Sequence, residues 1–428
     1  IKGAPEIILS GVTKYIKSDG TIGDFTPEIA EKFNNASVEQ ANRSMRVLAI
    51  VKEVGGVKTL IAGVCIRDNV RQGIKETVRV MNEAGVTVVM VTGDRKETAV
   101  AIAKEAGIYK SEDDVVLTHD ELANLSDQEV KDLLPHLKVV SRALPLDKKR
   151  LVNLAQEIDL VAGMTGDGVN DAPSLKAADI GFSMGDGTQA AQESSDVVIL
   201  NNSLTSIEKA VLYGRTMTES VKKFIIFQLT VNVTTIALAL VGPLVGFKEP
   251  FTIIQILWIN LIMDTLAALA FGEEPTLERY MKRPPIGRKE NILTGYMKTA
   301  IGVSGLFITV VSTMLLANAF GLQQMLDLHN SKEVLTFMFT FFIYAVIFNS
   351  LNTRSHGFNV FEHIGKNKRF IYVMTSIAVV QSLIIQFGGE VFSTVPMDLK
   401  HFGMALGLAF LIIPVDMIRK ALIGSYKE

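Results

Sequence analysis

A parallel α/β block followed by a bundle of six membrane-crossing helices is the fold class this sequence predicts, and three observations predict it. Up to about residue 213, short apolar runs of strand length alternate with segments of helical period, and several strands pass into Gly-rich loops. Beyond residue 223, six apolar runs follow, each near the roughly 20 residues that cross a bilayer. A mean hydropathy of +0.30 coexists with 21% charged residues, which fits a chain divided into a charged part and an apolar part.

Bulk properties narrow the function classes. A length of 428 residues leaves room for two or three domains. The net charge of −2 argues against nucleic acid as a partner, because no basic excess exists to pair with phosphates. A single cysteine, Cys65, excludes a disulfide framework and any Cys-based metal site; it is expected as a small core residue on a strand. The first residues, IKGAPEIIL, lack the basic and apolar regions of a signal peptide and begin in mid-pattern. The chain is therefore expected to be a piece of a longer protein.

In chain order, residues 44–54 and 58–66 read as two strands joined at Gly55-Gly56. Helices are expected over 74–84, 96–106 and 147–157, and strands over 86–91, 139–144 and 160–164, with further strands at 179–184 and 196–200. Buried strands alternating with helices predict a doubly wound parallel sheet that binds its ligand at the strands' C-terminal ends. Two such ends carry Thr-Gly-Asp, at Thr92, Gly93 and Asp94 and at 165–167. The second opens the stretch around which the block is organised, TGDGVNDAPS. Gly166 and Gly168 permit a sharp turn and close approach to a ligand. Asp167 and Asp171, with Thr165 and Asn170, make an all-oxygen cluster suited to a hard cation such as Mg2+ at a phosphate site. Pro173 opens a helix whose N-terminus faces the same spot. Read alone, each Gly-Asp turn is also compatible with an ordinary loop.

The apolar runs fall at about 224–246, 251–271, 297–321, 334–350, 370–388 and 402–421. The loops after the second and fourth runs are rich in Lys and Arg, including Arg288, Lys289 and Arg354, while the other loops carry one basic residue each. The positive-inside rule then places those two loops, the α/β block and the C-terminus in the cytoplasm. Polar residues inside spans are costly and mark function or helix contacts. Asp264 lies mid-span one turn after Asn260, and Asn232 lies in the preceding span; together they make a candidate hard-cation site. For Asn232 an interhelical hydrogen bond is an equal alternative. Asn349 and Asn352 are expected at the membrane interface.

The run TGDGVNDAPS resembles the hinge motif of P-type cation-transporting ATPases residue for residue, and the likeness extends along essentially the whole chain. It implies part of a nucleotide-binding domain at 1–60, a haloacid-dehalogenase-like phosphorylation domain at 61–213, and the last six spans at 214–428. KGAPE and MRVLA resemble nucleotide contacts, implying Lys2 at an adenine pocket and Arg46 near the ATP phosphates. Asp68 and Arg71 match a DPxR-like segment whose proline is Asn69 here. Thr92, Gly93 and Asp94 match the phosphoryl-contacting TGD loop. Lys148 matches the lysine that steadies the aspartyl phosphate, and Asp167 the Mg2+ ligand, with Asn170 and Asp171 in support. The segment QILWINLIMDTLAALAFGEEPT is similar to that of plasma-membrane-type (type IIB) calcium pumps, implying Ca2+ at Asn260, Asp264 and Asn232. Thr235 and Met263 replace a glutamate and a threonine of two-ion pumps, which fits one transported ion. The family's phosphorylated aspartate, in Asp-Lys-Thr-Gly, and its Thr-Gly-Glu loop are absent from this chain. The resemblance thus implies ATP-driven Ca2+ transport using ATP and Mg2+ in a lipid bilayer, with the N-terminal half of the same pump as partner and the fragment alone inactive. Rival readings are a Mn2+/Ca2+ or monovalent-cation pump, a membrane-tethered phosphatase, and a non-catalytic membrane module.

Overall fold

The computed structural model describes residues 1–42, 45–66 and 70–423, with only the backbone for residues 41, 42 and 46. It forms two compact units: residues 1–211 with 281–290, and residues 212–280 with 291–428.

The first unit begins with strands β1 (Lys2–Gly3), β2 (Val12–Ile16), β3 (Ile22–Asp24), β4 (Arg46–Val54) and β5 (Val57–Ile66). They form one sheet in the order β1-β4-β5-β2-β3, antiparallel except where β2 runs parallel to β5. Gly55 and Gly56 take φ of +57° and +80°, so the β4–β5 hairpin turns where two successive left-handed residues are needed. Val12, Ala49, Val51 and Leu60 form its core. Cys65 lies on β5 as expected, but it is exposed rather than buried.

The following α/β segment has six strands: β6 (Met90–Val91), β7 (Val115–Thr118), β8 (Leu137–Ser141), β9 (Gly163–Gly166), β10 (Ile180–Met184) and β11 (Val197–Ile199). All pairings are parallel, but they divide into two sheets, β6-β8-β7 and β9-β10-β11, instead of the single expected sheet. The division leaves β6 and β9, like β7 and β11, paired on one side only among the described residues. β6 keeps two residues of the expected 86–91 strand, and β9 starts at Gly163, leaving Leu160 46% and Val161 62% exposed. Away from these edges the packing is dense: Leu122, Val130, Leu137, Val140, Leu151 and Leu154 share one core. Capping boxes at Thr118/Glu121 and Ser126/Glu129 start two of the short helices. Residues 281–290 also belong to this unit: Arg288 pairs with Asp179, Lys289 with Asp159 at 2.6 Å, and Pro284 and Pro285 pack at Gly85.

Among the described residues six helices are long and apolar enough to cross a membrane, the first starting at the end of the first unit and the rest lying in the second: Leu204–Val245, Ile253–Gly272, Gly295–Leu316, Ser331–Arg354, Lys368–Phe387 and Leu399–Ile423. Residues 214–223, between the charged block and the first apolar run, are part of the first of these helices, whose α-helical portion runs Leu204–Val241. The fourth is the central one, with 78% of its most apolar window buried against 28–44% elsewhere. Its burial comes from a run, Phe337 to Val346, that is apolar except for Thr340 and packs on every side. The sixth breaks after Phe410 and resumes at Ile412, two residues before Pro414, whose ring cannot continue an α-helical ladder. Polar pairs tie the helices together. Ser304 donates to Asn349 (3.0 Å), Asn352 to the Ile412 carbonyl (3.0 Å), and Trp258 to Gln381 (2.9 Å). Asn349 and Asn352 are therefore interhelical ties, 2% and 3% exposed, rather than interfacial residues. Arg354, expected in a basic loop, is the buried last residue of the fourth helix.

Candidate functional site

Strand β9 ends at Gly166, and the chain turns through Asp167 and Gly168 into a short 3-10 turn (Val169–Asp171) and the helix Ala172–Ala177. Asp171 is buried at the centre of this turn. One carboxylate oxygen accepts the Lys148 ammonium at 2.6 Å; the other accepts the backbone N–H groups of Asp167 and Gly168, both at 3.3 Å. Gly166 is required here, because a Cβ on it would lie 2.4 Å from the Asp171 Cβ. Lys148 comes from the helix Pro145–Glu157, so the ion pair binds that helix to the hinge loop.

Asp171 is thereby fully committed inside the protein, while Asp167 and Asn170 are exposed. The Asp167 carboxylate has no hydrogen-bond partner among the described residues, leaving its oxygens for a ligand. An exposed carboxylate with an exposed amide three positions on offers oxygen donors of the kind Mg2+ takes, and among the described residues no cluster of three or more His, Cys, Asp or Glu side chains surrounds them.

The other TGD loop is built differently. The Thr92 N–H donates to the Val140 carbonyl and the Ala143 N–H to the Thr92 carbonyl, both at 2.9 Å; the Arg142 N–H donates to the Asp94 carbonyl at 2.9 Å. Thr92 Oγ1 donates to Asp94 Oδ2 at 3.2 Å. Thr92, Gly93 and Asp94 are thus fastened to the loop after β8, which leads straight into the helix bearing Lys148. Among the other sequence-predicted residues, Lys2 lies exposed on β1 opposite Ile50. Arg46 pairs by its backbone with Ile66, its side chain outside the described residues, and Asp68 lies outside them altogether. Arg71 donates to the backbone carbonyl of Asn202.

In the second unit, the span Ile253–Gly272 is not one regular helix: residues Trp258–Met263 are π-helical, between α-helical Ile253–Leu257 and Asp264–Gly272. Asn260 sits in the π segment and is exposed, whereas Asp264 just after it is 4% exposed. The two residues therefore lie in different surroundings, not on one uniformly buried face. Neither Asp264 carboxylate oxygen has a hydrogen-bond partner among the described residues. Asn232 is half-buried on the first span helix, which packs on the second through Phe227 and Phe271, ring centroids 5.5 Å apart. Thr235 is buried and donates to the Val231 carbonyl of its own helix at 2.9 Å.

Sequence reasoning missed two groups of polar residues. One is the pair Gln192 and Asn202, which holds the loop at 185–188; the only sequence signal was the Gly185-Asp186-Gly187 run. The other is a set of buried ion pairs, Lys223–Glu274–Arg354 and Asp416 with Arg419 and Lys420.

Comparison with known proteins agrees with this two-part architecture. Residues 248–422 match the family model for the C-terminus of cation transporting ATPases, and residues 46–179 match that for haloacid dehalogenase-like hydrolases. Its membrane-spanning part is thus similar to the C-terminal part of the cation transporting ATPases. The chain is similar to the plasma-membrane-type calcium-transporting ATPases. It is 38% identical over 99% of its length to a probable calcium-transporting ATPase 8, plasma membrane-type, of Oryza sativa subsp. japonica, covering 43% of that protein. It is 37% identical over 98% of its length to calcium-transporting ATPase 4, plasma membrane-type, of Arabidopsis thaliana, covering 42%. The chain thus spans less than half the length of these relatives.

Proposed function

We propose that this chain is the C-terminal portion of an ATP-driven Ca2+ pump that works through an aspartyl-phosphate cycle, with the phosphorylated aspartate on a preceding segment. The observation that carries the reading is Asp264: a mid-span carboxylate, almost wholly buried, with both oxygens unpartnered among the described residues. Burying such a group is expensive unless a ligand satisfies it, and a hard cation is the ligand its chemistry suits. Asn260 and Asn232 add neutral oxygens for the same cargo.

At the other site, Lys148 and Asp171 hold the hinge loop so that Asp167 presents its carboxylate outward. Asp167, assisted by Asn170, would hold Mg2+, which neutralises charge on the phosphoryl oxygens of ATP when bound. Lys148, 2.6 Å from Asp171, lies beside that position, and in the fastened loop of Thr92, Gly93 and Asp94, whose Thr92 and Asp94 N–H groups are taken internally, the Gly93 N–H would meet a phosphoryl group. Lys2, Arg46, Asp68 and Arg71 belong to the nucleotide-binding side of the reading. Residues 1–60, 61–213 and 214–428 serve as nucleotide, phosphorylation and membrane parts, with the soluble parts and C-terminus cytoplasmic. The helix Leu204–Val241, unbroken through 214–223, passes the rearrangement at the phosphorylation site to the cation site.

Acid-stable phosphoenzyme formation from labelled ATP, with the complete protein in membranes, tests this. Labelling that requires micromolar Ca2+, and that disappears in Asp264→Asn while ATP binding persists, is the expected result. Labelling indifferent to Ca2+, or replaced by dependence on Na+, overturns the ion; Ca2+ dependence intact in Asp264→Asn overturns the site.

A further inference from the structure

Beside the hinge lies a second loop that the chemistry above does not use. Residues 185–188, Gly-Asp-Gly-Thr, follow β10 and pack directly on the backbone of Asp167. The Thr188 N–H donates to the Asp167 carbonyl at 2.8 Å. A Cβ on Gly187 would meet the Asp167 carbonyl oxygen at 3.0 Å and its Cα at 3.2 Å, so only glycine allows this approach without displacement. The loop is therefore the bed on which Asp167 rests.

That bed is stapled from both sides. Asn202 Oδ1 accepts two successive backbone N–H groups, Gly185 at 2.7 Å and Asp186 at 3.3 Å. From the opposite side, Gln192 Nε2 donates to the carbonyls of Gly185 (2.9 Å) and Gly187 (3.2 Å). Asn202 itself is held in the left-handed region at φ +52°, which asparagine tolerates better than most residues. Its carbonyl receives the Arg71 guanidinium, whose partner lies 131 positions away in sequence. Arg71 is thereby tied to the residue that holds the 185–188 loop.

We infer that Asn202 is a positioning residue that sets the divalent-cation affinity of Asp167 by fixing the 185–188 loop beneath it, with Arg71 anchoring Asn202. The inference rests on the reading of Asp167 as the Mg2+ ligand. Removing an outer partner that orients a metal-binding carboxylate costs about tenfold or more in affinity.

The test is a titration of the full chain in detergent with Mn2+ alone, followed by electron paramagnetic resonance, in an Asp264→Asn background so that the membrane site does not contribute. Asn202→Gly keeps the backbone conformation and removes the amide. It should weaken Mn2+ binding about tenfold, whereas Asn202→Asp, which retains an acceptor for both N–H groups, should stay within about twofold. Asp167→Asn should abolish the binding. If Asp167→Asn weakens Mn2+ binding and Asn202→Gly does not, the positioning role is overturned and the metal reading stands. If Asp167→Asn changes nothing, the metal reading falls and this inference with it. Thermal unfolding separates affinity from folding: a loss of Mn2+ binding in Asn202→Gly accompanied by an equal loss in Asn202→Asp and a collapsed midpoint would mark Asn202 as merely structural.

Discussion

Glu274, just beyond the second span helix, receives Lys223 and Arg354 at 2.7 Å each and Asn367 at 3.0 Å. The side chains of Lys223, Glu274 and Arg354 are 5% exposed or less. Burial alone would push the Glu274 carboxyl up; the two cations outweigh it and hold the carboxyl below its ordinary value. A lowered folded-state pKa means stabilisation present in full above the ordinary value of about 4.5 and lost as the pH falls through the folded one. Glu274→Gln removes the carboxylate that both buried cations share, so it should cost about 3–5 kcal/mol. It should also flatten the acid limb of stability below that ordinary value, as a pH series of thermal unfolding would read. An unchanged midpoint and an unchanged acid limb would dismiss the network as a stabilising unit. None of this was legible in advance, because Glu274 and Arg354 are 80 positions apart and a terminal arginine reads equally well as a loop cation. Asp264 was legible for the opposite reason: a carboxylate inside an apolar run needs no partner residue to be conspicuous.

At the scale of elements, helical stretches were read well and strands less so. The helices Ile74–Glu83 and Lys96–Glu105 each end where a glycine with positive φ, Gly85 or Gly107, stops the pattern. Strand extent depends on neighbours, and 86–91 carries a strand-like apolar pattern of which only Met90–Val91 pairs. The π-helical turn at Trp258–Met263 has no signature in the apolar period, although such turns recur at functional sites. Close packing between elements is similarly hidden until coordinates exist. Gly181 on β10 lies under the helix Ala172–Ala177, where a Cβ would meet the Leu175 carbonyl oxygen at 2.7 Å and its carbon at 3.2 Å. These are backbone atoms, so the whole helix would have to shift. Gly181→Ala should therefore destabilise the first unit by about 1–3 kcal/mol. Gly163→Ala on β9, whose nearest neighbours would be side-chain atoms at 3.7 Å, should be tolerated. Equal unfolding midpoints for the two variants would refute this packing.

For the molecule as a whole, the split parallel sheet is the feature with most consequence. β6 pairs with β8 alone and β9 with β10 alone, among the described residues. Both lie at sheet edges, and both are preceded by apolar segments, 86–89 and 160–162, that remain half-buried or exposed. The sequence pattern was that of buried strands, and within the parallel strands pattern and structure disagree most at these two edges. Edge strands with apolar flanks are templates for further pairing. On the proposed function, their edges would seat a strand from the preceding segment to which that reading assigns the phosphorylated aspartate. The same strand would bring that aspartate to the strand ends where Thr92–Asp94 and Asp167 lie. Hydrogen exchange distinguishes the cases. In the chain by itself, amides at 86–91 and 160–166 should exchange fast, while those of the fully flanked strands β8 and β10 exchange slowly. In the complete protein the first group should slow by at least about tenfold, as paired amides require the opening of a cooperative unit before they exchange. Exchange at 86–91 and 160–166 that is the same in both forms would mean that nothing pairs with these edges, and the preceding segment would then have to deliver its aspartate by another route.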